Sequence, residues 1–382
     1  MLDQALVLWL PGPASYTGED SAELHLHGGP AVLAAVSDAL IVAGARPAEP
    51  GEFTRRAFLH GRLDLTEAEG IADLIEAETE AQRRQALRQA GGALSRLVAG
   101  WSSRLARLLA RQEAFIEFED EDLPAGLDDA VAAEAALLGA EMAAQLAETP
   151  RGERLREGLM VAIIGAPNAG KSSLLNALVG REVAIVSARA GTTRDVVEAR
   201  LTLAGVPVTL ADTAGLRDAV DDIEVEGVRR AQQRAETADL VLAVFAADQA
   251  PDVATLAALR SGGLVVLNKA DLAAASWPRE LEASALAVSA LTGQGLEALR
   301  ARLEAAAMAL AGLTEQATLT RPRHRAAVQD ALGWLTALPQ APVPELRAEV
   351  LRAALRALER LTGQVGVEAI LDLVFSEFCI GK

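Results

Sequence analysis

The sequence is poor in cysteine, in aromatic side chains and in positive charge. Its 382 residues include one cysteine, Cys379, so no disulfide can form within the chain, which fits a reducing compartment. Aromatic residues make up 3% of the chain and hydrophobic residues 51%, so the cores must be built mainly from Leu, Val and Ala. A net charge of -17 excludes the broad positive field of a sequence-blind nucleic-acid binder. An RNA partner would need a local patch or delivery by another protein.

Apolar runs long enough to span a membrane are also lacking. The first run, residues 5–10, is too short, has no basic residue before it and ends at Pro11. We therefore predict a buried β-strand there, no membrane segment and a cytoplasmic protein.

The pattern of residue types changes along the chain. Residues 1–60 mix short apolar runs with Gly and Pro, which predicts a small α/β domain. Residues 61–155 and 311–382 carry apolar side chains at helical spacing, whereas residues 156–310 alternate strand and helix patterns. We predict an α/β and all-α multidomain protein in which an α/β domain is inserted into a helical domain. Two unrelated helical domains are the alternative.

The strongest motif is Gly165-Ala-Pro-Asn-Ala-Gly-Lys171-Ser172, which matches G-x-x-x-x-G-K-[ST]. It follows a strand pattern and precedes a helix pattern that begins at Ser173. In such a loop the backbone N–H groups wrap the phosphates, Lys171 reaches the β- and γ-phosphates, and Ser172 offers a hydroxyl to Mg²⁺. We predict a P-loop domain, a mostly parallel sheet with helices on both faces.

Three further motifs follow in the order that a GTPase requires. Asp212-Thr213-Ala214-Gly215 can hold the Mg²⁺ shell through water and sense the γ-phosphate. Asn268-Lys269-Ala-Asp271 presents a carboxylate that accepts two N–H groups of guanine, a pair that adenine lacks. Ser289-Ala290-Leu291 fits the loop that touches the guanine O6. Each motif follows a strand pattern, and together they predict GTP as the nucleotide.

A loop between the P-loop and Asp212 contains Ser187-Ala188-Arg189-Ala190-Gly191-Thr192-Thr193. A Thr in such a loop can bind Mg²⁺ while the γ-phosphate is present and release it after hydrolysis. Thr193 is the candidate, and a plain loop role is the alternative.

The residue after the Asp-x-x-Gly motif is Leu216, where Ras-like proteins have a Gln that orients the attacking water. No arginine finger is evident, although Arg194 and Arg217 are open candidates. Asn168 is a candidate for holding a monovalent cation beside the phosphates. Glu224 is a candidate for orienting the water, and a solvated acidic side chain is the competing interpretation.

The motifs together resemble those of a known family. The P-loop, Gly191–Asp195, Asp212–Arg217, Pro50–Phe58 and the terminal Phe378–Lys382 closely resemble the MnmE (TrmE) family of tRNA modification GTPases. The resemblance covers the whole chain, and this combination of segments is specific to that family.

The resemblance implies an N-terminal α/β domain that dimerises and binds 5-formyl-tetrahydrofolate, followed by a helical domain that carries the GTPase domain. It implies a homodimer and a flavoprotein partner, MnmG. With that partner such proteins add an aminomethyl or carboxymethylaminomethyl group to C5 of the wobble uridine of certain tRNAs. The resemblance also implies that two GTPase domains meet to activate hydrolysis and that K⁺ takes the place of an arginine finger. Members of the family begin with a further segment, so the N-terminal domain here is predicted to be partial.

Matching the motifs residue by residue assigns roles within this sequence. The implied K⁺ ligands are Asn168, Ser187, Arg189 and Thr192, and the Mg²⁺ ligands are Ser172 and Thr193. The implied catalytic residues are Glu224 and Cys379, and the folate-contacting residues are Glu23, Arg62 and Lys382. The predicted GTP-contacting residues are Asn168, Ala169, Gly170, Lys171, Ser172, Ser173, Ser187, Ala188, Arg189, Ala190, Gly191, Thr192, Thr193, Asp212, Thr213, Ala214, Gly215, Asn268, Lys269, Asp271, Ser289, Ala290 and Leu291.

Two other functions remain open on the sequence. A ribosome-assembly GTPase of the Era/EngA type would carry a basic RNA-binding C-terminal domain, whereas residues 321–382 read as helical and contain many Glu besides Arg. A non-catalytic interaction scaffold is the second alternative.

Overall fold

The computed structural model describes residues 1–117, 127–180, 197–212, 236–259, 263–272, 275, 277–312, 317–365, 371, 374–375 and 378. The chain forms two compact units. The helical unit comprises Met1–Ala77, Arg83–Glu148 and Gln316–Lys382, and the sheet unit comprises Glu78–Gln82 and Thr149–Glu315. The helical unit is therefore discontinuous in sequence.

The helices in chain order are α1 (Pro30–Val42), α2 (Glu52–Leu59), α3 (Leu65–Glu76), α4 (Glu80–Ala90), α5 (Ala93–Glu117), α6 (Leu127–Glu157), α7 (Lys171–Val179), α8 (Val253–Leu259), α9 (Arg279–Ser284), α10 (Leu296–Ala311), α11 (Pro322–Ala337) and α12 (Pro344–Thr362). The strands are β1 (Leu6–Leu10), β2 (Ser21–His25), β3 (Leu159–Ile164), β4 (Val197–Leu203), β5 (Val206–Asp212), β6 (Leu240–Ala246), β7 (Leu264–Asn268) and β8 (Leu286–Ala287).

The sheet unit is built on six strands in the order β4-β5-β3-β6-β7-β8. Only β4 runs antiparallel to its neighbour; the other described pairings are parallel. Along β3, Val161 and Ile163 are buried in one core, and Ala162 and Ile164 in another. Because successive side chains of a strand point to opposite faces, both faces of this sheet are covered. The predicted α/β fold with a mostly parallel sheet is confirmed.

The core of the helical unit follows the helical spacing seen in the sequence. Leu94, Trp101, Leu105 and Leu108 of α5 are buried in one cluster with side chains of α6, α11 and α12. Such a stripe stabilises a helix by packing one apolar face against its neighbours. The predicted all-α part of the fold is therefore confirmed.

The N-terminal segment differs from its prediction. Residues Leu6–Leu10 form the predicted strand, paired antiparallel with β2, but Trp9 is 64% exposed and α1 has no buried residue. A two-stranded sheet with one helix offers too little apolar surface to cover such side chains. The prediction of a buried strand is wrong for the single chain.

Among the described residues, one helical stretch, Ala130–Glu157, is long and apolar enough by length and composition to cross a membrane. Within this stretch Leu138 and Met142 are fully buried in the core of the helical unit.

Two buried glutamines of the helical unit differ in their hydrogen bonding. Gln89 donates from Nε2 to the Thr66 carbonyl oxygen at 3.1 Å, and its Oε1 accepts from the Thr320 hydroxyl at 2.9 Å. Gln112 is 1% exposed, and neither of its amide atoms has a hydrogen-bond partner within the described structure. An unpaired buried amide is destabilising, whereas a paired one is not.

We therefore expect Gln112→Leu to stabilise the protein by about 1 kcal/mol or more, because it removes an unsatisfied polar group. The matched change Gln89→Leu should destabilise it by about 1–3 kcal/mol, because the Thr320 hydroxyl and the Thr66 carbonyl oxygen lose their hydrogen bonds to the Gln89 amide. Denaturant unfolding midpoints measure both effects. Equal losses of stability in the two variants would contradict this account.

A buried ionic cluster joins α3 to the start of α11. The carboxylate of Glu69 receives two hydrogen bonds from the guanidinium of Arg323, and its Oε2 lies 2.7 Å from His324 Nε2. Burial alone would raise the pKa of Glu69, but the interactions of its carboxylate with His324 and Arg323 outweigh burial, so this pKa is lowered. Burial lowers the pKa of His324 by more than Glu69 raises it.

Stability of the helical unit should therefore fall as the pH decreases below about 6.5, because the unfolded chain takes up a proton on His324 that the folded chain does not. One such group contributes at most about 1.4 kcal/mol per pH unit. His324→Gln can still donate to Glu69 but cannot titrate, so its stability should fall less steeply between pH 7.5 and 5.5. Denaturant unfolding at several pH values tests this, and identical slopes would contradict it.

Candidate nucleotide-binding site

The sequence motifs meet at one edge of the sheet. In the parallel register Ile163 pairs with Asp212, Ala246 with Asn268, and Leu267 with Ala287, so these strands end together. The P-loop follows β3, Asp212 ends β5, Asn268 ends β7, and Ser289 lies just after β8. Ligands of open α/β sheets bind at the carboxyl ends of the strands.

The P-loop backbone lies very close to neighbouring groups at two of its glycines. A Cβ on Gly165 would lie 2.2 Å from the Val244 carbonyl oxygen. Gly170 has φ of +87°, and a Cβ there would lie 2.2 Å from Asn268 Nδ2. Asn168 also adopts a left-handed conformation, with φ of 64°. The absence of a side chain at Gly165 and Gly170 permits these close approaches, and the left-handed residues turn the loop backbone into a cradle.

Lys171 is buried at the start of α7. It is 5% exposed, and its Nζ donates to the carbonyl oxygens of Gly165 at 2.8 Å and Ala166 at 2.9 Å. The N-cap of α7 is Gly170, which has no side chain with which to cap the first turn. A buried ammonium beside a helix N-terminus is complementary to phosphate.

Asn268 connects three of the predicted motifs. It is 1% exposed, and its Nδ2 donates to the carbonyl oxygens of Ala169 at 3.0 Å and Gly170 at 3.3 Å. Its Oδ1 accepts from the Ala290 N–H at 3.1 Å. One side-chain amide therefore holds the P-loop and the loop after β8 together. The sequence predicts Asn268 as a site residue but does not reveal this role.

The loop after β7 is shaped by local contacts. Lys269 has a left-handed φ of 62°, and its Nζ lies 3.7 Å from Asp248 Oδ1. Asp271 is exposed, as the carboxylate that meets a ligand must be before binding. The sequence analysis does not identify Asp248 as a neighbour of Lys269. The one feature of the sequence that could indicate it is its position just after β6.

The loop after β8 is fixed by Ser289. Its side chain is buried, its Oγ accepts from the Thr292 N–H at 3.1 Å, and its own N–H donates to the Gln294 carbonyl oxygen at 2.9 Å. Leu291 is 87% exposed. The loop is thus hydrogen-bonded and buried at Ser289 and exposed to solvent at Leu291.

Several sequence-predicted residues lie outside the described part of the chain. They are Ser187, Ala188, Arg189, Ala190, Gly191, Thr192, Thr193, Thr213, Ala214, Gly215, Glu224, Cys379 and Lys382. For Asp212 the backbone is described at the end of β5.

The described residues suit a magnesium nucleotide. They contain no group of three His, Cys, Asp or Glu that could hold a metal ion. Mg²⁺ in nucleotide sites takes most of its ligands from phosphates and water and few from the protein. Ser172, exposed in the first turn of α7 beside the cradle, fits as its hydroxyl ligand. Mg²⁺ would neutralise charge that develops on the phosphates.

The predicted folate contacts lie in the helical unit. Glu23 Oε2 lies 3.1 Å from His25 Nε2 on the same strand. Arg62 lies beside Gly18, where a Cβ would be 3.4 Å from Arg62 Cγ. Both Glu23 and His25 are exposed.

Comparison with known proteins covers the whole chain. The model of the MnmE helical domain matches residues 65–379, and that of the GTP-binding protein TrmE N-terminus matches residues 1–62. The tRNA modification GTPase MnmE of Gluconacetobacter diazotrophicus is 59% identical over 382 residues, covering 100% of this chain and 86% of that protein. That of Granulibacter bethesdensis is 54% identical over 401 residues, covering 100% and 87%.

Solved structures also match. The G domain of the T. maritima FeoB iron transporter is 26% identical, covers 39% of this chain and 98% of its own, and gives a TM-score of 0.30. Era from Aquifex aeolicus is 27% identical, covers 49% of this chain and 69% of its own, and also gives 0.30.

The resemblance predicted from the motifs is confirmed by the two family models and by relatives that align with every residue of the chain. The chain belongs to the MnmE family of tRNA modification GTPases.

Proposed function

We propose that this protein is a K⁺-activated GTPase whose hydrolysis of GTP drives the modification of tRNA. With the flavoprotein MnmG it adds a carboxymethylaminomethyl or aminomethyl group to C5 of the wobble uridine. The relatives' description as tRNA modification GTPases supports the tRNA substrate. The geometry of the nucleotide site supports the hydrolytic step.

The Asn268 amide is the observation that carries the GTPase assignment. It joins the P-loop at Ala169 and Gly170 to the loop that carries Ala290. The Asn268 side chain thereby links the loop proposed to bind the phosphates to the loop proposed to recognise the base. Asp271, three residues after Asn268, is the carboxylate proposed to accept the N1 and N2 protons of guanine.

The hydrolytic step uses groups other than a Ras-type glutamine, because Leu216 stands at that position. We assign K⁺ to the side chain of Asn168, which is exposed on the P-loop in a left-handed conformation. Ser187, Arg189 and Thr192 complete the proposed K⁺ site, Ser172 and Thr193 bind Mg²⁺, and Glu224 orients the attacking water.

The proposed assembly is a homodimer that binds MnmG in the cytoplasm. Exposed apolar side chains of β1 and α1, such as Trp9 and Ile41, support a partner on the N-terminal segment. The net charge of -17 supports delivery of tRNA to a local site rather than binding over a broad surface. Glu23, Arg62 and Lys382 are the proposed folate contacts, and Cys379 is the proposed catalytic thiol.

Asp271→Asn should change the base preference of the site from guanine to xanthine. An amide in place of the carboxylate cannot accept both guanine protons, so we expect the affinity for GTP to fall by about 10- to 200-fold, from the loss of a charged hydrogen-bonding pair. Xanthosine triphosphate, which has a carbonyl at position 2, should gain affinity. Titration with both nucleotides measures the exchange, and unchanged preference for GTP would contradict the assignment of Asp271.

GTP turnover should be fast in KCl and slow in NaCl if K⁺ replaces an arginine finger.

Glu224→Ala should leave GTP affinity nearly unchanged and lower turnover by about 10²-fold or more, because it removes an interaction made in the transition state. Steady-state turnover and nucleotide titration in both salts separate the two effects. Equal slow rates in K⁺ and Na⁺, or full turnover in the variant, would overturn this mechanism.

A further inference from the structure

One stretch of this acidic chain carries only positive charge. Residues 81–112 contain no Asp or Glu, although Asp and Glu outnumber Lys and Arg by 53 to 36 in the whole chain. Acidic residues return at Glu113 and in the run 117–122. The basic residues of the stretch are Arg83, Arg84, Arg88, Arg96, Arg104, Arg107 and Arg111. Positive charge is therefore concentrated along α4 and α5.

One face of α5 presents this charge to solvent. At 3.6 residues per turn, Arg96, Arg107 and Arg111 lie within about 60° of one another around the helix. All three are exposed, whereas Leu94 and Leu105 are buried on the opposite side of α5. We define the basic face of α5 as these three arginines and the exposed residues between them. It is about 22 Å long, because a helix rises 1.5 Å per residue.

The charge of these arginines is not cancelled by carboxylates. Arg96 Nη1 donates to the Gly91 carbonyl oxygen at 2.8 Å, and Arg107 Nη1 donates to Ser103 Oγ at 2.7 Å. Both acceptors are neutral, and none of the three arginines forms an ion pair within the described part of the chain. A guanidinium has five N–H donors, so one such bond leaves others for a ligand.

The neighbouring charges are paired with one another. Arg104, at the side of the basic face, donates to Glu134 at 2.8 Å and to Glu141 at 2.7 Å, both on α6. Glu113, near the end of α5, accepts from Arg352 at 2.7 Å. Arg104 is therefore largely neutralised, and the positive charge of α5 that remains for a partner lies on the basic face.

The middle of the basic face consists of small residues. Gly100 is exposed inside the helix, and a Cβ built there would have no atom within 4 Å. Glycine in a helix interior is destabilising relative to Ala, and no contact in the described part of the chain requires it at this position. The other exposed small residues between the arginines are Ala99, Ser103, Ala106 and Ala110. They allow the backbone of a ligand to approach the helix closely.

We propose that the basic face of α5 binds the phosphate backbone of tRNA. This inference rests on the proposed function, in which tRNA is the substrate. A guanidinium matches the geometry of a phosphate, to which it donates two parallel hydrogen bonds. Double-stranded RNA is recognised mostly through its shape, its phosphates and its 2′-hydroxyl groups. An exposed helix face with arginines at both ends and small residues between them suits such a surface.

The overall charge of the protein is compatible with this site. Although the net charge is -17, the field near a surface depends on the charges closest to it, because salt screens the more distant ones. The chain belongs to a family of tRNA modification GTPases, which favours RNA over an anionic lipid surface or an acidic protein as the polyanion.

Arg107→Gln/Arg111→Gln removes two charges from the basic face, and Gln has a helix propensity close to that of Arg. We expect the full-length variant to bind an unmodified tRNA transcript at least about fivefold more weakly than the wild type. The slope of log K against log [KCl] should decrease in magnitude by about 1 for each arginine removed. Arg107→Lys/Arg111→Lys should keep the slope, because the charges remain. Fluorescence anisotropy at several KCl concentrations measures both quantities, and the denaturant unfolding midpoint checks folding.

Arg200→Gln/Arg360→Gln is the matched control. It removes the same charge from two exposed arginines that lie beside carboxylates, 3.3 Å from Glu78 and 2.9 Å from Asp330. This variant should bind tRNA as the wild type does. An equal loss of affinity in the control would show that net charge governs binding and would overturn the proposal. Unchanged affinity and slope in Arg107→Gln/Arg111→Gln would overturn it as well.

A second pair of variants tests the close approach and leaves every arginine in place. Gly100→Leu should weaken tRNA binding by at least about threefold, because the added side chain keeps the arginines from pairing fully with the phosphates. Gly333→Leu is its matched control, since Gly333 is exposed within α11 and a Cβ there would also have no atom within 4 Å. Equal tRNA affinities of the two variants would contradict the close approach.

The remaining outcomes separate this surface from the proposed function. A wild type that binds phosphatidylserine vesicles but no tRNA would overturn tRNA as the occupant. MnmG-dependent modification of the wobble uridine is measured independently, and its absence in the wild type would overturn the proposed function. Full modification by the wild type, together with unchanged tRNA binding in Arg107→Gln/Arg111→Gln, would overturn the basic face alone.

Discussion

The nucleotide site depends on one buried side-chain amide. Asn268 has two kinds of hydrogen-bonding group, and it uses its N–H₂ on the P-loop and its carbonyl oxygen on the loop after β8. A buried amide without hydrogen-bond partners destabilises the fold. Moving either loop would leave one end of the Asn268 amide without a partner, so both loops are held in place. An ionised Asp or a Leu at this position would lack the N–H₂ group that donates to the P-loop carbonyl oxygens. The close approach of Gly170 follows, because the Asn268 amide occupies the space that a Cβ would need.

The fold of the sheet unit could be predicted from sequence because each strand is a short apolar run followed by a motif. The strands β5 and β7 each include the first residue of the motif that follows, since Asp212 and Asn268 still pair with residues of neighbouring strands. The edge strand β4 alternates apolar and polar residues from Val197 to Leu203, a pattern typical of a half-buried strand. Its antiparallel pairing with β5 is not evident from that pattern.

Contacts between distant residues could not be predicted. The sequence identifies Asn268 as a site residue, but not its hydrogen bonds to Ala169, Gly170 and Ala290, because these bonds depend on the order of strands in the sheet. In the helical unit nothing in the sequence connects Glu69 with Arg323, or Gln89 with Thr320. Those pairs are separated by hundreds of residues, and an alignment of side chains across such a separation is a property of packing alone.

The uncovered apolar surface of β1 and α1 has a thermodynamic consequence. Side chains such as Trp9 and Val42 face water in the single chain, and any molecule that covers them binds the folded form and not the unfolded one. The free energy of unfolding then rises with the logarithm of that molecule's concentration. The melting temperature of this protein is therefore not a constant of the chain but a quantity that belongs to a solution of stated composition.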